Sequence, residues 1–403
     1  STITLLYSNI DGGQDSIITN DNGTVIWGDG NIDLDPLFMN ADSGNYHLSD
    51  LSPTISAGTD TITIAGVFYT APNTDLDGNP RPNPAGTVLD MGAYENENGA
   101  GVYNGPVWYV DASSDLPYAN GSESAKFNKI QIGIDAANSG DTVMVAAGTY
   151  TENIDFSGKN IVVIGADRET TIIDGDSSGS VVKFINGEDS TAVLMGFTIT
   201  NGAAENGGGI HLVQSSPSLY GLTVSQNTAS SSGGGIYCYD QSSPILKNSS
   251  VVNNSSGELA GGIRCWIDSN IKLENVVIAN NTAAQTGGGM HCWNNSSPTL
   301  MNVTMINNNA GNAGGIFLRG SNPIIVNSIV WGNTPQNIEF RGGINQGNIT
   351  FSYSDLQGGQ DSIVTDDGST VTWGDGNIDL DPLFMDADSG NYHLSDLSPT
   401  ISA

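Results

Sequence analysis

Apolar residues recur along the middle of the chain with a period close to 27 residues. Between residues 206 and 334, five Gly-rich stretches each lead into a short apolar strand, whose first apolar residues are Ile210, Ile236, Ile263, Met290 and Ile316, at spacings of 26, 27, 27 and 26. Two further apolar columns keep the same step: Leu219, Leu246, Leu273, Leu300 and Ile325, and then Val224, Val251, Ile278, Met305 and Val330. Three short strands per period predict one coil of a parallel β-helix, with neighbouring coils about 4.8 Å apart.

A polar column repeats in the same register, at Asn227, Asn254, Asn281, Asn308 and Asn333, and the tripeptide SSP recurs at 215, 242 and 296. Identical Asn side chains one coil apart can bond amide to amide, as ladders of identical residues do. Asn also tolerates the left-handed backbone that a sharp bend needs, and the Gly pairs let the chain turn into each first strand. These residues therefore predict a structural Asn ladder along one bend of the coils.

A longer repeat spans most of the chain. Residues 7–57 recur at 353–403 with 9 differences, and GDGNIDLDPLF appears intact at 28–38 and 374–384. Such identity at a fixed offset is typical of tandemly duplicated modules.

Residues 206–334 resemble the pectin-lyase-like parallel β-helix repeats of bacterial secreted and surface proteins. Residues 107–165, with VWYVDASS, FNKIQIGIDAANSGDTVMVAAGTYTENI and GKNIVVIGA, look like the opening segment of that family. Residues 75–95, DLDGNPRPNPAGTVLDMGAYE, resemble its closing segment. The resemblance implies an all-β fold, a right-handed single-stranded parallel β-helix with coils of 26–27 residues.

A closing segment therefore precedes an opening segment, and the long repeat explains this order. We expect the C-terminal part of a preceding module at 1–97, a linker at 98–106 and the next module at 107–403, which comprises an opening region (107–165), regular coils (166–350) and the start of a closing region (351–403) that duplicates 5–57. In the opening region, Ile130, Ile134 and Ala137 have helical spacing and Gly140 follows as a stop. This spacing predicts a short helix near 127–138 that covers the open end of the core.

Side chains in the first strand of each coil should alternate between the core and the outer face. On the inner side, Cys238, Cys265 and Cys292 align between Leu212 and Leu318. They are interpreted as small core residues. A disulfide between stacked neighbours would leave one thiol over, and zinc is disfavoured because no other ligand lies nearby inside.

On the outer side, one column holds His211, Tyr237, Arg264, His291 and Phe317, and the next holds Val213, Tyr239, Trp266, Trp293 and Arg319. We predict an exposed stripe made of Tyr237, Tyr239, Arg264, Trp266, His291, Trp293, Phe317 and Arg319. Such a surface can stack on sugar rings or dock against another chain. The alternative is that these residues pair across strands and stabilise the ladder.

Charge narrows the range of partners. The chain has 11 Lys plus Arg and 43 Asp plus Glu, for a net charge of -32. This charge excludes nucleic acid as an expected partner and disfavours anionic lipid, whereas hard cations such as Ca²⁺ suit it. Candidate ligands are Asp75 and Asp77 in TDLDGN, and Asp29, Asp33 and Asp35 with their copies Asp375, Asp379 and Asp381. Asx turns that end strands are the alternative; a bound Ca²⁺ is expected to be structural.

The resemblance also raises the question of catalysis. Lyases of the family use an Arg or Lys base beside a Ca²⁺-binding acidic cluster, and its hydrolases use clustered Asp with a His and a basic residue. Arg264 and Arg319 are the only basic residues in the two outer columns, and no carboxylate accompanies them there. General acid–base chemistry needs paired groups within reach, so no catalytic residue is assigned and the protein is predicted not to be an enzyme.

The favoured function is structural: an extracellular fibre, stalk or cell-surface array whose partners are neighbouring copies of the same module, joined covalently or as a homopolymer. An adhesin or polysaccharide-binding module that uses the stripe is the alternative, and a polysaccharide lyase is the third hypothesis. The chain contains no apolar run long enough to span a membrane. The expected location is outside the cell or on its surface.

Overall fold

A computed structural model describes residues 1–19, 23–49, 52–97, 105–115, 119–342, 346–366 and 368–402. The chain forms two compact units, one made of Ser1–Asn104 with Ser114–Lys126 and the other of Gly105–Ser113 with Phe127–Ala403. Of the predicted linker, residues 98–104 lie outside the described residues.

The first unit consists of short paired strands and turns. Its strands are β1 (Thr2–Leu5), β2 (Thr24–Trp27), β3 (Phe38–Asn40), β4 (Asn45–Leu48), β5 (Thr61–Ile64) and β6 (Val67–Thr70), with 3₁₀ turns at Gln14–Ser16 and Ala41–Ser43. Strands β1 and β2 pair in parallel, whereas β3–β4 and β5–β6 are antiparallel hairpins.

The second unit begins with β7 (Val107–Val110), α1 (Ile130–Ala136), β8 (Thr142–Val145), β9 (Gly148–Thr151), β10 (Ile154–Asp155), β11 (Val162–Gly165), β12 (Thr171–Asp174), β13 (Val182–Phe184), β14 (Val193–Met195), β15 (Thr198–Thr200) and β16 (Ala203–Asn206). The most regular coils follow, with β17 (Ile210–Val213), β18 (Ser218–Tyr220), β19 (Thr223–Ser225), β20 (Thr228–Ser232), β21 (Ile236–Tyr239), β22 (Ile245–Val252), β23 (Ser255–Ser256), β24 (Ile263–Trp266), β25 (Lys272–Ala279), β26 (Thr282–Thr286), β27 (Met290–Trp293), β28 (Thr299–Ile306), β29 (Asn309–Asn312) and β30 (Ile316–Arg319). The unit ends with β31 (Ile324–Val326), β32 (Ile329–Trp331), β33 (Ile338–Phe340), β34 (Asn348–Ser352), β35 (Asp355–Leu356), β36 (Thr370–Trp373), β37 (Phe384–Asp386) and β38 (Asn391–Leu394), and with 3₁₀ turns at Gln360–Ser362, Ala387–Ser389 and Pro399–Ser402.

Successive coils of the second unit pair in parallel and in register. An 8-stranded sheet runs β10-β13-β17-β21-β24-β27-β30-β33, a 5-stranded sheet runs β16-β20-β23-β26-β29, and a 17-stranded sheet carries the remaining coil strands. Ile210 pairs with Ile236, and the column continues through Ile263 and Met290 to Ile316. The two other predicted apolar columns are at most 1% exposed. The prediction of an all-β parallel β-helix is confirmed, and the stacked columns form one continuous core.

The predicted capping helix is confirmed, with closer bounds than the sequence indicated. It covers Ile130–Ala136 and ends where Ala137 turns extended, before the predicted stop at Gly140. A Cβ at Gly133 would lie 2.8 Å from Cγ1 of Val143, so glycine is required for the helix to pack this closely on the first strands. The carboxylate of Glu152 accepts hydrogen bonds from the N–H groups of Ile130 (2.7 Å) and Gln131 (3.1 Å), which satisfies the helix N-terminus.

The duplicated segment folds in the same way at both positions. In the first copy, β1 pairs with β2 from Thr2↔Thr24 to Leu5↔Trp27. In the second copy, β34 pairs with β36 from Asn348↔Thr370 to Phe351↔Trp373. The hairpins β3–β4 and β37–β38 also share one register. The repeat is therefore a unit of structure as well as of sequence.

The first copy is followed by an irregular stretch, residues 73–96. It contains the predicted closing segment (75–95), and the name closing segment is used for the whole stretch from here on. A buried ion pair between Arg81 Nε and Glu95 Oε1 (2.7 Å) ties its middle to its C-terminal end. Asp75 ties the N-terminal turn of the segment to the same end, because its carboxylate accepts from the N–H of Asn79 (2.8 Å) and from the N–H of Glu95 (3.2 Å). Buried charges are tolerated where they are paired and hydrogen-bonded, so this network makes the closing segment a defined element without regular strands.

Candidate functional site

The predicted Asn ladder is present and buried along one bend of the coils. Each Nδ2 donates to Oδ1 of the next residue at 2.9–3.0 Å, through Asn227, Asn254, Asn281, Asn308 and Asn333. Each amide also donates to a carbonyl on the neighbouring coil, as Asn281 does to Val251 at 2.8 Å. The same oxygens accept backbone N–H groups. A fully satisfied buried network of this kind specifies the register of the coils.

The expectation that these Asn residues hold the left-handed backbone is wrong. The positive φ belongs to the residue before each ladder position, at Gln226 (58°), Asn253 (57°), Asn280 (56°), Asn307 (55°) and Gly332 (64°). The ladder residue turns inward immediately after the bend, where its amide can reach the next coil. The preceding residue absorbs the conformational strain, and Asn is the residue that does so at lowest cost apart from Gly.

Two more ladders were not predicted. The inner one is serine: the N–H groups of Ser215, Ser242 and Ser269 each donate to the hydroxyl one coil on, at 3.1–3.2 Å. The outer one is asparagine: Asn275 donates to Asn248 and Asn302 donates to Asn275, both at 3.0 Å. The recurrence of SSP and the 27-residue spacing of these Asn residues were the available signals.

The cysteine column lies in the core, as predicted. Cys238, Cys265 and Cys292 stack in register, are fully buried and are free thiols. Burial raises the pKa of the Cys292 thiol well above its ordinary value. A protonated, enclosed thiol is a core residue and not a reactive one.

The predicted stripe is aligned, but half of it is not exposed. Tyr237, Arg264, His291 and Phe317 pair in register, as do Tyr239, Trp266, Trp293 and Arg319. The first of these columns, called the inner column of the stripe below, is buried, with Arg264 only 2% exposed and His291 4% exposed. The second, with Tyr239, Trp266, Trp293 and Arg319, is called the outer column. The prediction of an exposed stripe is therefore wrong for Tyr237, Arg264, His291 and Phe317, whereas the outer column is half-buried.

The chain just before each first strand covers the inner column. Its excursions form the 5-stranded sheet, and from one of them Thr286 places Oγ1 3.1 Å from Nδ1 of His291. A Cβ at Gly287 (φ +71°) would lie 2.9 Å from Cβ of His291. The glycine before each of these strands therefore allows the backbone to pass close to an outward-facing side chain of the strand. Strand alternation alone does not reveal this contact.

Burial changes the electrostatics of this covered column. It lowers the pKa of Arg264 to about 10 and lowers that of His291 well below its ordinary value. Among the described residues, Arg264 makes no ion pair, and its Nε and Nη1 have no hydrogen-bond partner. The guanidinium lies 5.8 Å from the ring centre of Trp266 and 5.7 Å from that of Trp293. Aromatic faces therefore stabilise this charge in place of a carboxylate.

The outer column forms a ladder at the C-terminal ends of strands β21, β24, β27 and β30. The Trp266 and Trp293 rings are stacked, with centroids 5.7 Å apart and planes at 12°. Tyr239 lies 5.0 Å from Trp266 on one side, and the Arg319 guanidinium lies 4.8 Å from Trp293 on the other. All four are partly exposed. They form a narrow, partly exposed strip beside the covered column.

The predicted acidic clusters do not assemble into ligand sets. Within the described ranges, no three His, Cys, Asp or Glu side chains come together in a way that could hold a metal ion. Asp33 and its copy Asp379 accept from the N–H groups of Gly12 and Gly358. Asp35 and Asp381 accept from residues two positions on, as Asx turns do.

The remaining candidate ligands have other surroundings. Asp75 is occupied by the closing-segment bonds described above, and Asp77 pairs with His47 at 2.6 Å. The backbone carbonyls of Asp29 and Asp375 accept from Tyr7 and Tyr353. Calcium binding at these residues stays a prediction.

A cavity of about 380 Å³ lies beside the second copy, lined in part by Tyr353, Asp355, Ile378, Leu394 and Thr400. Burial raises the pKa of Asp355 to about 6, and the charges of Asp379 and Asp381 act in the same direction. Oδ1 of Asp355 accepts from the N–H of Leu380 at 3.2 Å, whereas Oδ2 is buried without a partner. A carboxyl group in this setting favours the protonated form.

The helix over the first coil and the stacked parallel strands decide the fold. The chain is a parallel β-helix. No family model matches it. It is 28% identical over 191 residues to the probable outer membrane protein pmp8 of Chlamydia pneumoniae, a match that covers 47% of this chain and 19% of that protein.

Solved structures similar to this β-helix include a pectate lyase and a pectin methylesterase. Pectate lyase Pel9A is 15% identical, with 73% of this chain and 90% of that chain covered and a TM-score of 0.48. Pectin methylesterase from carrot is 12% identical, with 66% and 88% covered and a TM-score of 0.39. Likenesses at this level bear on neither activity nor substrate. Within the described residues, no helix has the length and apolar character needed to cross a bilayer.

Proposed function

We propose that this β-helix is a rigid, tandemly repeated spacer of an extracellular fibre, stalk or cell-surface array. The observation that carries the proposal is the duplicated segment, which makes the same parallel strand pair and the same hairpin at both positions. The same local structure recurs at both positions, as expected if one module is joined to the next through this segment. Neighbouring copies of the module are then the main partners.

The interior of the β-helix suits a mechanical role. Bending the rod would open hydrogen bonds between coils, and it would also break the buried Asn and Ser ladders that run along the rod. Because identical residues stack at each level, every coil supports its neighbours in the same way. Stiffness along the axis follows from this repetition, without a ligand.

A location on or outside the cell agrees with three observations. The acidic, Gly-rich composition carries a net charge of -32, the fold is a β-helix, and the curated relative is by its name an outer membrane protein. We infer a surface location for this chain on these grounds.

The test is the mass and position of the native polypeptide. Antibodies raised against this 41.9 kDa chain should label intact cells and should detect, on a reducing denaturing gel, a band several times larger. A native polypeptide near the size of one module, or antigen confined inside the cell, would contradict a covalent tandem array at the surface.

A glycan-binding function is the second candidate, and the stacked Trp266 and Trp293 rings favour it. The rings are partly exposed, and aromatic side chains are enriched at binding interfaces because each offers a large apolar area. Arg319 beside them could bind a polar substituent of a sugar. The covered column behind the rings fixes their orientation, which lowers the entropic cost of binding.

Binding to a panel of immobilised polysaccharides tests this candidate. Trp266→Ala and Trp293→Ala should each weaken binding about tenfold or more if the rings form the site. Met301→Ala is the matched control, because Met301 is a partly exposed apolar residue outside the stripe. Binding that is equal in all variants would exclude the ring ladder as the site.

A further inference from the structure

The two copies of the repeated segment differ in one face of their hairpin region. In the first copy, Leu48, Thr54 and Ile55 are buried, at 6%, 2% and 5% exposure. In the second copy, the identical counterparts Leu394 and Thr400 are only half-buried, and Ile401 is 56% exposed. The residues are the same, so the difference arises from what lies against them.

The closing segment, residues 73–96, covers this face in the first copy. Asn96 Nδ2 donates to the carbonyl of Leu48 at 3.0 Å, and the N–H of Met91 donates to the carbonyl of Thr54 at 2.9 Å. The carboxylate of Asp90 accepts from the N–H of Ser56 at 2.7 Å. These bonds are directed at main-chain groups, and the second copy presents the same main chain.

The second copy has an open cavity at the corresponding place. Leu394 and Thr400, the counterparts of the two residues whose carbonyls bind the closing segment, line the 380 Å³ cavity described above. At another position of the same hairpin the two copies match, since Met39 and Met385 are both 64% exposed. An exposed apolar face with a cavity behind it is the kind of surface that another polypeptide covers.

We propose that the face formed by Leu394, Thr400 and Ile401 is a docking site for a closing segment, a polypeptide stretch with the sequence of residues 73–96. The proposal rests on the tandem arrangement proposed above and names the contact that completes each module. The segment suits the role because its Arg81–Glu95 pair and its Asp75 turn hold it in shape through its own bonds.

The experiment measures how fast maleimide labels a thiol introduced by Ile401→Cys in the full chain, with and without a synthetic peptide of residues 73–97. The three native thiols are fully buried and give little background. We expect rapid labelling without peptide and labelling slowed about tenfold at saturating peptide, because a docked segment removes this position from solvent. Met385→Cys is the matched control and should label at the same rate in both conditions.

Variants of the peptide and of the first copy sharpen the result. A peptide carrying Asp90→Ala should protect about tenfold less well, because it loses its carboxylate anchor to the main chain. A peptide carrying Leu76→Ala, at a residue 70% exposed in the first unit, should protect as the natural sequence does. Ile55→Cys, already covered by its own closing segment, should label slowly without any peptide.

Appending residues 58–97 after Ala403 repeats the test at the high effective concentration of a tethered segment. Protection of Ile401→Cys in either format supports the proposal, provided that Met385→Cys stays unprotected. Equal labelling of Ile401→Cys with free peptide, with the appended segment and with neither would overturn it. This readout does not depend on the mass or location of the native polypeptide, so a failure of the array proposal remains distinguishable.

Discussion

The two copies of the repeated segment have nearly the same sequence but different support. Strand β34 lies between β31 and β36, so Ile349 is fully buried, whereas β1 pairs with β2 alone among the described residues and leaves its counterpart Ile3 47% exposed. In the hairpin region the first copy is the more buried of the two, because the closing segment covers it. In this fold, the neighbouring coil and the covering segment determine how much stability each residue contributes.

The largest effect should come from the strand that lies between two others. Ile349→Ala should lower the free energy of unfolding of the second unit by about 3–4 kcal/mol, because it leaves a cavity in a closed core. Ile3→Ala should cost only about 0.5 kcal/mol, as expected of an exposed position. Urea denaturation followed by tryptophan fluorescence measures both. Equal costs for the two substitutions would show that coil stacking does not account for the difference.

The covered hairpin face should reverse the order of the two copies. Ile55→Ala is expected to destabilise the first unit by about 2–3 kcal/mol, since Ile55 is 5% exposed beneath the closing segment. Ile401→Ala should change the stability of the second unit by no more than about 0.5 kcal/mol. Thermal unfolding by calorimetry separates these outcomes, and a costly Ile401→Ala would mean that this face is already packed.

A chemical difference between the copies predicts a pH dependence. In the first copy, Asn9 Nδ2 donates to the carbonyl of Leu34 at 2.7 Å. In the second copy, Asp355 replaces Asn9 and Leu380 replaces Leu34, so only a protonated carboxyl could make the equivalent bond.

The sign follows from the pKa of Asp355, which burial raises from 3.8 to about 6 in the folded state. The folded chain holds the proton more tightly, so stability from this group is greatest at low pH and decreases as the pH rises from about 4 to about 6. Asp355→Asn should add about 1–3 kcal/mol at pH 7 and little at pH 4. Urea titrations of both chains across this range provide the check; a pH-independent difference would argue against it.

The smallest effect concerns the matched histidines. His47 contacts Asp77 and packs on the Tyr94 ring, with centroids 4.1 Å apart, whereas its counterpart His393 is exposed. His47→Ala should cost about 0.5–1 kcal/mol, which is usual for a partly exposed pair. His393→Ala should cost nothing measurable by the same denaturation assay. A measurable decrease in the free energy of unfolding for His393→Ala would mean that His393 makes a stabilising contact in the second copy.

Much of the fold could be predicted from recurrence. The three apolar columns, the cysteine column and the buried Asn ladder all lie where a period of 26–27 residues places them, because in-register stacking turns sequence spacing into spatial contact. The capping helix followed from the spacing of Ile130 and Ile134, and only its end differed. The duplicated strand pair and hairpin were likewise visible as repeated letters.

The candidate site was less predictable. Strand alternation placed Arg264 and His291 on the outer face, and the structure agrees, but it did not reveal that a short excursion of the same coil covers them. The left-handed bend was assigned to Asn254 instead of Asn253, because periodicity gives the step of a column but not the dihedral angles within it. The Asn248–Asn275–Asn302 ladder had a clear spacing, yet its position outside the core gave no reason to single it out.

The sequence by itself determined the coil, the register and the identity of the stacked columns, since each depends only on a repeating pattern of side chains. Only the tertiary structure decided which outer residues are exposed and which of two nearly identical segments is buried. Exposure depends on contacts with other parts of the chain, such as the covering excursions, a neighbouring coil or the closing segment. Two stretches with nearly the same letters therefore have different surroundings, and no local pattern records that difference.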